Sequence, residues 1–180
     1  AANLPYGRRD NYPLAEPWPP YLTLVSPANN SVIQAGVTLD FNISAYFNTV
    51  QYAINNGTTS NLTTPFDIST SGFADGDIFV RVWANDTWYN LTPSFLFTID
   101  STAPTISADG PAPGGTYLVG TQLNLTVSDA HLAANVTRNN GSGPVAFADP
   151  WDIDTTGWAE ADYNITIIAW DMAGNTRTSV

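Results

Sequence analysis

Residues 162–180 read DYNITIIAWDMAGNTRTSV, and their pattern decides the fold. Tyr163, Ile165 and Ile167 alternate with Asp162, Asn164 and Thr166, the period of two expected of a strand with one buried face. Asp171-Met172-Ala173-Gly174-Asn175 then turns the chain, and another strand starts at Thr176 and runs to Val180, the last residue. An earlier copy of the same unit offers a longer strand at this point, Ser94-Phe95-Leu96-Phe97-Thr98-Ile99-Asp100. The second copy is therefore expected to lack most of its last strand.

Working outward, the chain from Tyr21 onward alternates short strands with turns and carries no sustained helical period. Residues 21–26 form a first strand that stops at Pro27. In residues 37–44, VTLDFNIS, Leu39, Phe41 and Ile43 share one face while Asp40, Asn42 and Ser44 share the other. Residues 49–54 lead into Asn55-Asn56-Gly57-Thr58, a hairpin signal because Asn and Gly accept positive φ. Residues 65–70, 77–84 and 94–100 complete about seven strands with turns every 8 to 12 residues, the spacing of an antiparallel β-sandwich.

The second half repeats the first. Pro27-Ala28 returns as Pro111-Ala112 and Gly36-Val37-Thr38-Leu39 as Gly120-Thr121-Gln122-Leu123, both 84 residues on. Asn55-Asn56-Gly57-Thr58 returns as Asn139-Asn140-Gly141-Ser142 at the same offset. Pro65-Phe66-Asp67-Ile68 becomes Pro150-Trp151-Asp152-Ile153, and Ala84-Asn85-Asp86 becomes Ala169-Trp170-Asp171, 85 residues on. One residue of drift marks an internal duplication. The expected layout is an extended arm at 1–20, one domain at 21–100 and a second at 101–180. A short proline-containing junction, Asp100-Ser101-Thr102-Ala103-Pro104-Thr105, joins the two in a stiff tandem.

Ser101-Thr102-Ala103-Pro104-Thr105-Ile106, Gly157-Trp158-Ala159-Glu160-Ala161 and Ala169-Trp170-Asp171-Met172-Ala173-Gly174-Asn175 resemble the Ig-like repeats of bacterial and archaeal surface proteins. The resemblance covers everything except the arm and implies two tandem Ig-like sandwiches. It implies no single role, because such repeats serve adhesins, surface layers, filaments and enzyme spacers alike.

Composition excludes several functions. The net charge is −11 with no lysine, whereas nucleic acids and anionic membranes need a basic face. The absence of cysteine removes disulfides, zinc–thiolate sites and thiol chemistry. No run approaches the roughly 20 apolar residues of a membrane span, and no signal peptide is visible, so an exported chain is read as its mature form. Asn-x-Ser/Thr occurs at Asn29, Asn42, Asn56, Asn61, Asn85, Asn90, Asn124, Asn135, Asn140 and Asn164. These are ten sequons where composition alone gives about three. The excess is read as N-linked glycosylation and therefore an extracellular, cell-surface location.

Catalytic material is sparse, and neither an enzymatic activity nor a cofactor is expected. His131 is the sole histidine and is read as a solvent-exposed loop residue. Paired carboxylates for sugar hydrolysis could be drawn from Asp149, Asp152, Asp154, Glu160 and Asp162, but no spacing selects two of them. Asp149, Asp152 and Asp154 are calcium candidates, matched in the first repeat by Asp67, Asp75 and Asp77, and Asp100 with Asp109 forms a further pair. The preferred reading is that these aspartates cap turns, leaving no metal site. Trp18, Trp88, Tyr89 and Trp158 could stack on sugars, although aromatics in a sandwich more often pack its core.

Residues 1–20 contain five prolines and no sustained period, the signature of an extended arm. Within it Ala2, Leu4 and Tyr6 share one face, with Tyr12 and Leu14 as the alternative set. A sandwich short of a strand exposes an apolar groove and unpaired backbone groups. The expectation is that the arm of another copy fills it by β-augmentation, since twenty extended residues reach up to roughly 65 Å. Such a contact joins two different surfaces and does not close on itself, so copies add head to tail. The assembly resembles the glycosylated donor-strand threads and pili of archaea. The expected partners are copies of the same chain and N-linked glycans. The competing expectation is a monomeric adhesin, surface-layer or carbohydrate-binding module.

Overall fold

The computed structural model describes residues 20–86 and 89–180, with the side chains of Ala134 and Asn135 excepted. All regular structure among these residues is β. The strands are β1 (Leu22–Ser26), β2 (Val32–Ile33), β3 (Thr38–Ile43), β4 (Thr49–Ile54), β5 (Ser60–Asn61), β6 (Asp67–Ser69), β7 (Gly76–Asn85), β8 (Asn90–Leu91) and β9 (Ser94–Ile99). They continue with β10 (Thr105–Gly110), β11 (Gln122–Ser128), β12 (Leu132–Asn139), β13 (Val145–Phe147), β14 (Asp152–Asp154), β15 (Thr166–Asp171) and β16 (Thr176–Ser179). The described residues through Ser31 form one compact unit with Gly36–Thr98, and Val32–Ala35 forms the other with Ile99–Val180.

In the first unit a three-stranded sheet, β1-β3-β6, accompanies a larger one containing β9-β7-β4-β5, with β8 on β7. The alternation of β3 places Leu39, Phe41 and Ile43 inside, 0, 2 and 6% exposed. From the other sheet β7 sends in Ile78, Val80, Val82 and Ala84, at 5, 0, 0 and 0%. Phe41 meets Phe95 of β9 with ring centroids 5.4 Å apart, an edge-tilted contact between the two sheets. These are the two layers of an Ig-like sandwich.

The second unit repeats the plan as β10-β11-β14 and β13-β12-β15-β16. Its core joins Val127 and Ile153 of one sheet to Val136, Phe147, Ile167 and Ala169 of the other. The repetition extends to backbone detail: Phe66 and Trp151 both hold a left-handed conformation, φ 67° and 59°. Bulky residues rarely adopt that region, and Trp151 is held there with its ring edge-on to Phe147 at 5.5 Å.

Two features differ from the sequence expectation. The strand read from Asp162 onward starts only at Thr166. Also, the hairpins at Asn55 and Asn139 share a sequence offset but not a pairing register. In the first unit β4 and β7 pair without interruption from Thr49↔Asn85 to Ile54↔Val80. In the second, Leu132 lies opposite Asp171 and Val136 opposite Ala169, so four steps on β12 face two on β15. This bulge makes the turn of the second unit arrive two residues early.

Candidate strand-docking slot

The two units diverge where a sandwich of this order is closed by its last strand. In the first unit β9 lies beside β7. Pro93 O accepts the Val82 N–H at 3.1 Å, and five residues further along the Thr98 hydroxyl donates to Asp77 at 2.7 Å. On its other side β9 is lined by the run into β2: Asn30 N–H donates to Leu96 O at 2.7 Å and Thr98 N–H to Ser31 O at 3.1 Å. Phe97 and Ile99 are buried, 0 and 1% exposed.

In the second unit Ser179 of β16 stands opposite Ile167, the residue that repeats Val82. Ser179 thus occupies the place of Pro93, and among the described residues no strand of this unit stands where residues 96–99 stand in the first. This register is one residue short of aligning Val180 with Phe95. Neither flank of the position belongs to a sheet, although Leu118 O accepts the Thr121 N–H at 3.1 Å. Residues 161–165, which repeat the first half of β7, lie outside any strand, and so do residues 115–118, which repeat β2 and the residues beside it.

Burial follows the same boundary. Away from it the repeats agree: Ile43 and Val127 are each 6% exposed, Val82 and Ile167 are 0 and 3%, Ile68 and Ile153 are 2 and 1%. Next to it they part. Leu39, Phe41 and Val80 are buried, while their counterparts Leu123, Leu125 and Ile165 are only half-buried. Ile78 is 5% exposed and Tyr163 38%. Tyr117, Leu118 and Val119, which repeat Ile33, Gln34 and Ala35, are 44, 86 and 52% exposed. Tyr117 lies across the bare backbone of Gly115, where a Cβ would collide with its ring, and its hydroxyl donates to Ala112 O at 2.7 Å. One end of the second core is therefore apolar and open to solvent, and the first repeat identifies residues 115–118 and 161–165 as the borders of the slot. Exposed apolar surface bordered by backbone outside any sheet is the arrangement to which extended segments add.

The arm residues Ala2, Leu4, Tyr6, Tyr12 and Leu14, together with Trp18 and Trp88, lie outside the described residues. Asn42, Asn56, Asn61, Asn90, Asn124 and Asn164 are exposed, and so is Asn29, whose Oδ1 accepts the Leu96 N–H at 2.8 Å. Asn140 is half-buried. Asn85 is also half-buried, and its Oδ1 is shut away without a protein partner. Asn135 falls in the bulged part of β12.

His131 is not a free loop histidine. Its Nδ1 lies 2.8 Å from Asp100 Oδ2, with side-chain exposures of 32% and 6%. Its backbone N–H is accepted by Asp129 at 2.7 Å. Among the described residues Asp100, Asp129 and His131 are the three potential ligands whose donor atoms come within 4.8 Å of one another. Each of these contacts is an internal hydrogen bond, and Asp100 Oδ1 further accepts the Thr102 N–H at 3.1 Å. Asp109 takes no part in this cluster, since Ser107 and Thr126 hydroxyls donate to it at 3.3 and 2.6 Å. Asn175 ties the cluster to its turn: Nδ2 donates to Asp100 O and Asp171 Oδ2 at 2.9 and 2.7 Å, and Oδ1 accepts from Gln34 at 2.7 Å.

Of the calcium candidates, Asp149 is exposed, while Asp152 and Asp154 sit in β14 opposite Asn124 and Gln122. The Asp154 carboxyl is held below its ordinary value of 3.8 by hydrogen bonds from the Thr156 side chain and backbone. That is turn capping. Trp158 is no open sugar platform either, being packed against the core and onto Tyr163 at 4.6 Å. Among the described residues no helix is long and apolar enough to cross a membrane.

No family model matches the chain, and no curated protein does. Among solved structures it is similar to one titled "Structures of Clostridium thermocellum CbhA fibronectin(III)-like modules". The likeness has a TM-score of 0.52 at 16% sequence identity and covers 88% of this chain and 90% of that one. At that identity it is a likeness of fold: this chain is an all-β protein of Ig/fibronectin-III-like sandwiches.

Proposed function

We propose that the chain is a structural subunit of an extracellular, N-glycosylated cell-surface filament. Subunits join head to tail, the amino-terminal arm of one copy adding as a strand in the slot of the second unit of the next. The observation that carries this reading is the contrast between repeats. The same strand order buries Ile78 and Ile33 at 5 and 6% in one place and leaves Tyr163 and Tyr117 at 38 and 44% in the other. Each apolar side chain a docked strand inserts there contributes about 1.5–3 kcal/mol before ordering costs. The arm supplies such side chains at the spacing of a strand, in Ala2, Leu4 and Tyr6. Because donor and slot are different surfaces, assembly propagates, and glycans on exposed asparagines such as Asn42, Asn56 and Asn164 coat its exterior.

Electron microscopy of the full chain beside a Leu4→Asp/Tyr6→Asp variant tests the proposal. Filaments from the first and dispersed particles from the second are expected. A monomeric full chain contradicts it and leaves an adhesin, surface-layer or sugar-binding module as the reading.

A further inference from the structure

We infer that the slot selects the arm by direction and residue parity: the arm runs as β9 does, antiparallel to residues 161–165, so that even-numbered arm residues face the core and bond residues 161–165, and odd-numbered ones face outward and bond residues 114–118. This rests on the arm-in-slot reading above. In the first unit the strand filling this position divides its backbone strictly. Leu96 and Thr98, the even positions, exchange hydrogen bonds with Asn30 and Ser31 on the β2 side, while Pro93, an odd position, bonds Val82 of β7. The odd positions are also those that reach the core, Phe97 and Ile99 being 0 and 1% exposed. For a strand running as β9 does, antiparallel to β7, a residue buried in this position therefore hydrogen-bonds the β7 side and a residue pointing out hydrogen-bonds the β2 side; a strand of the opposite direction would exchange the two. The two requirements are locked together because successive residues of a strand alternate both in side chain and in backbone direction.

The arm carries the matching pattern. Its large apolar residues Leu4, Tyr6, Tyr12, Leu14 and Trp18 all have even numbers, while alanine, too small to fill a pocket, occurs at both parities as Ala1, Ala2 and Ala15. Four of its five prolines, Pro5, Pro13, Pro17 and Pro19, have odd numbers. Proline has no N–H to give, so it is tolerated on a sheet's outer edge and excluded from its interior ladder. With the even residues buried, the odd prolines fall on the side of residues 114–118, the edge of the sheet, and never on the side of residues 161–165. The same parity holds for Ala2, Leu4 and Tyr6 and for Tyr12 and Leu14, so the chemistry of the partner is set whichever window docks. The slot takes an extended segment with apolar residues at every second position and prolines confined to the positions between.

The test uses the full-length Leu4→Asp/Tyr6→Asp/Tyr12→Asp/Leu14→Asp chain, whose own arm competes in neither window, and a synthetic peptide of residues 1–8 as probe. Single backbone N-methyl groups delete one N–H while keeping the side chain. Methylation at Leu4 or Tyr6 is expected to weaken binding about five- to tenfold, the effect of one lost hydrogen bond. Methylation at Asn3 or Gly7 is expected to leave it within about threefold, as for a bond lost at a solvated edge. Losses that follow Asn3 and Gly7, or fall equally on both parities, overturn the inference while arm docking stands. A peptide that does not bind at all overturns arm docking through Ala2, Leu4 and Tyr6, and the parity rule with it.

Discussion

Truncating one residue in each repeat measures whether the second core is open. Ile78 of the first unit is 5% exposed in the middle of a closed sandwich. Its replacement by alanine removes buried carbon and leaves a cavity, for a loss of about 2–5 kcal/mol. Tyr163, its counterpart, is 38% exposed; its ring packs at a tilt against Trp158, centroids 4.6 Å apart, and its hydroxyl donates to Ala159 O at 3.3 Å. Tyr163→Ala opens no sealed cavity, because solvent already reaches the site. The loss is then the ring contact, about 0.5–1.5 kcal/mol, with a partial transfer term, about 1–2 kcal/mol in all. Once a strand covers the slot the same truncation creates a void, and the loss climbs to the about 3–5 kcal/mol of a buried aromatic. Native-state hydrogen exchange suits the measurement because amides in β7 and β15 report the two units separately. The Tyr163→Ala loss should be small in the assembly-blocked Leu4→Asp/Tyr6→Asp background and two- to threefold larger in assembled chains. An equal loss in both states refutes the reasoning, since it makes the slot either already closed or never filled.

Other outcomes follow from single contacts. His131→Ala removes the imidazole partner of the buried Asp100 carboxylate and should lower the stability of the second unit by about 1–3 kcal/mol, read as a fall in its melting temperature; an unchanged melt contradicts the pairing. In a host that glycosylates sequons, mass spectrometry of glycopeptides should find Asn42, Asn56 and Asn164 modified and Asn85, whose side chain is half-buried with its amide oxygen shut away, modified least; equal occupancy at Asn85 contradicts that geometry. An NMR titration should place the Asp154 carboxyl below 3.8, and Thr156→Ala should raise it. Because its folded value is depressed, any stability it lends is present above the unfolded value and disappears as the pH falls through the folded one. The carboxyl is fully exposed, so the effect belongs to the titration curve rather than to the melt.

The sandwich was legible because burial on one face leaves a period of two, as Leu39, Phe41 and Ile43 show. The duplication was legible from its punctuation, Pro27 with Pro111 and Gly36 with Gly120. What the pattern does not record is the partner. Tyr163 and Ile165 alternate as regularly as Ile78 and Val80, yet residues 161–165 form no strand, because a ladder needs a second backbone and the position beside them is unfilled among the described residues. The bulge in β12 left no local trace either: equal offsets at Asn55 and Asn139 suggested equal register, and only the cross-strand pairs reveal the two extra residues. His131 and Asp100 are 31 residues apart, so nothing in Asp129-Ala130-His131-Leu132 announces their contact. The turn 171–175 was readable, whereas the reach of Asn175 to Asp100 and Gln34 was not.

The central claim is that the second sandwich is completed by a strand from a different molecule. High-resolution electron cryomicroscopy of assembled, full-length chains addresses it directly. The expected map holds an extended strand between residues 114–118 and 161–165, with Leu4 and Tyr6 or Tyr12 and Leu14 pointing inward and density running to Pro20 of a neighbouring subunit. Density that instead joins the strand to Val180 of the same subunit, or a slot left empty in the assembled state, contradicts it.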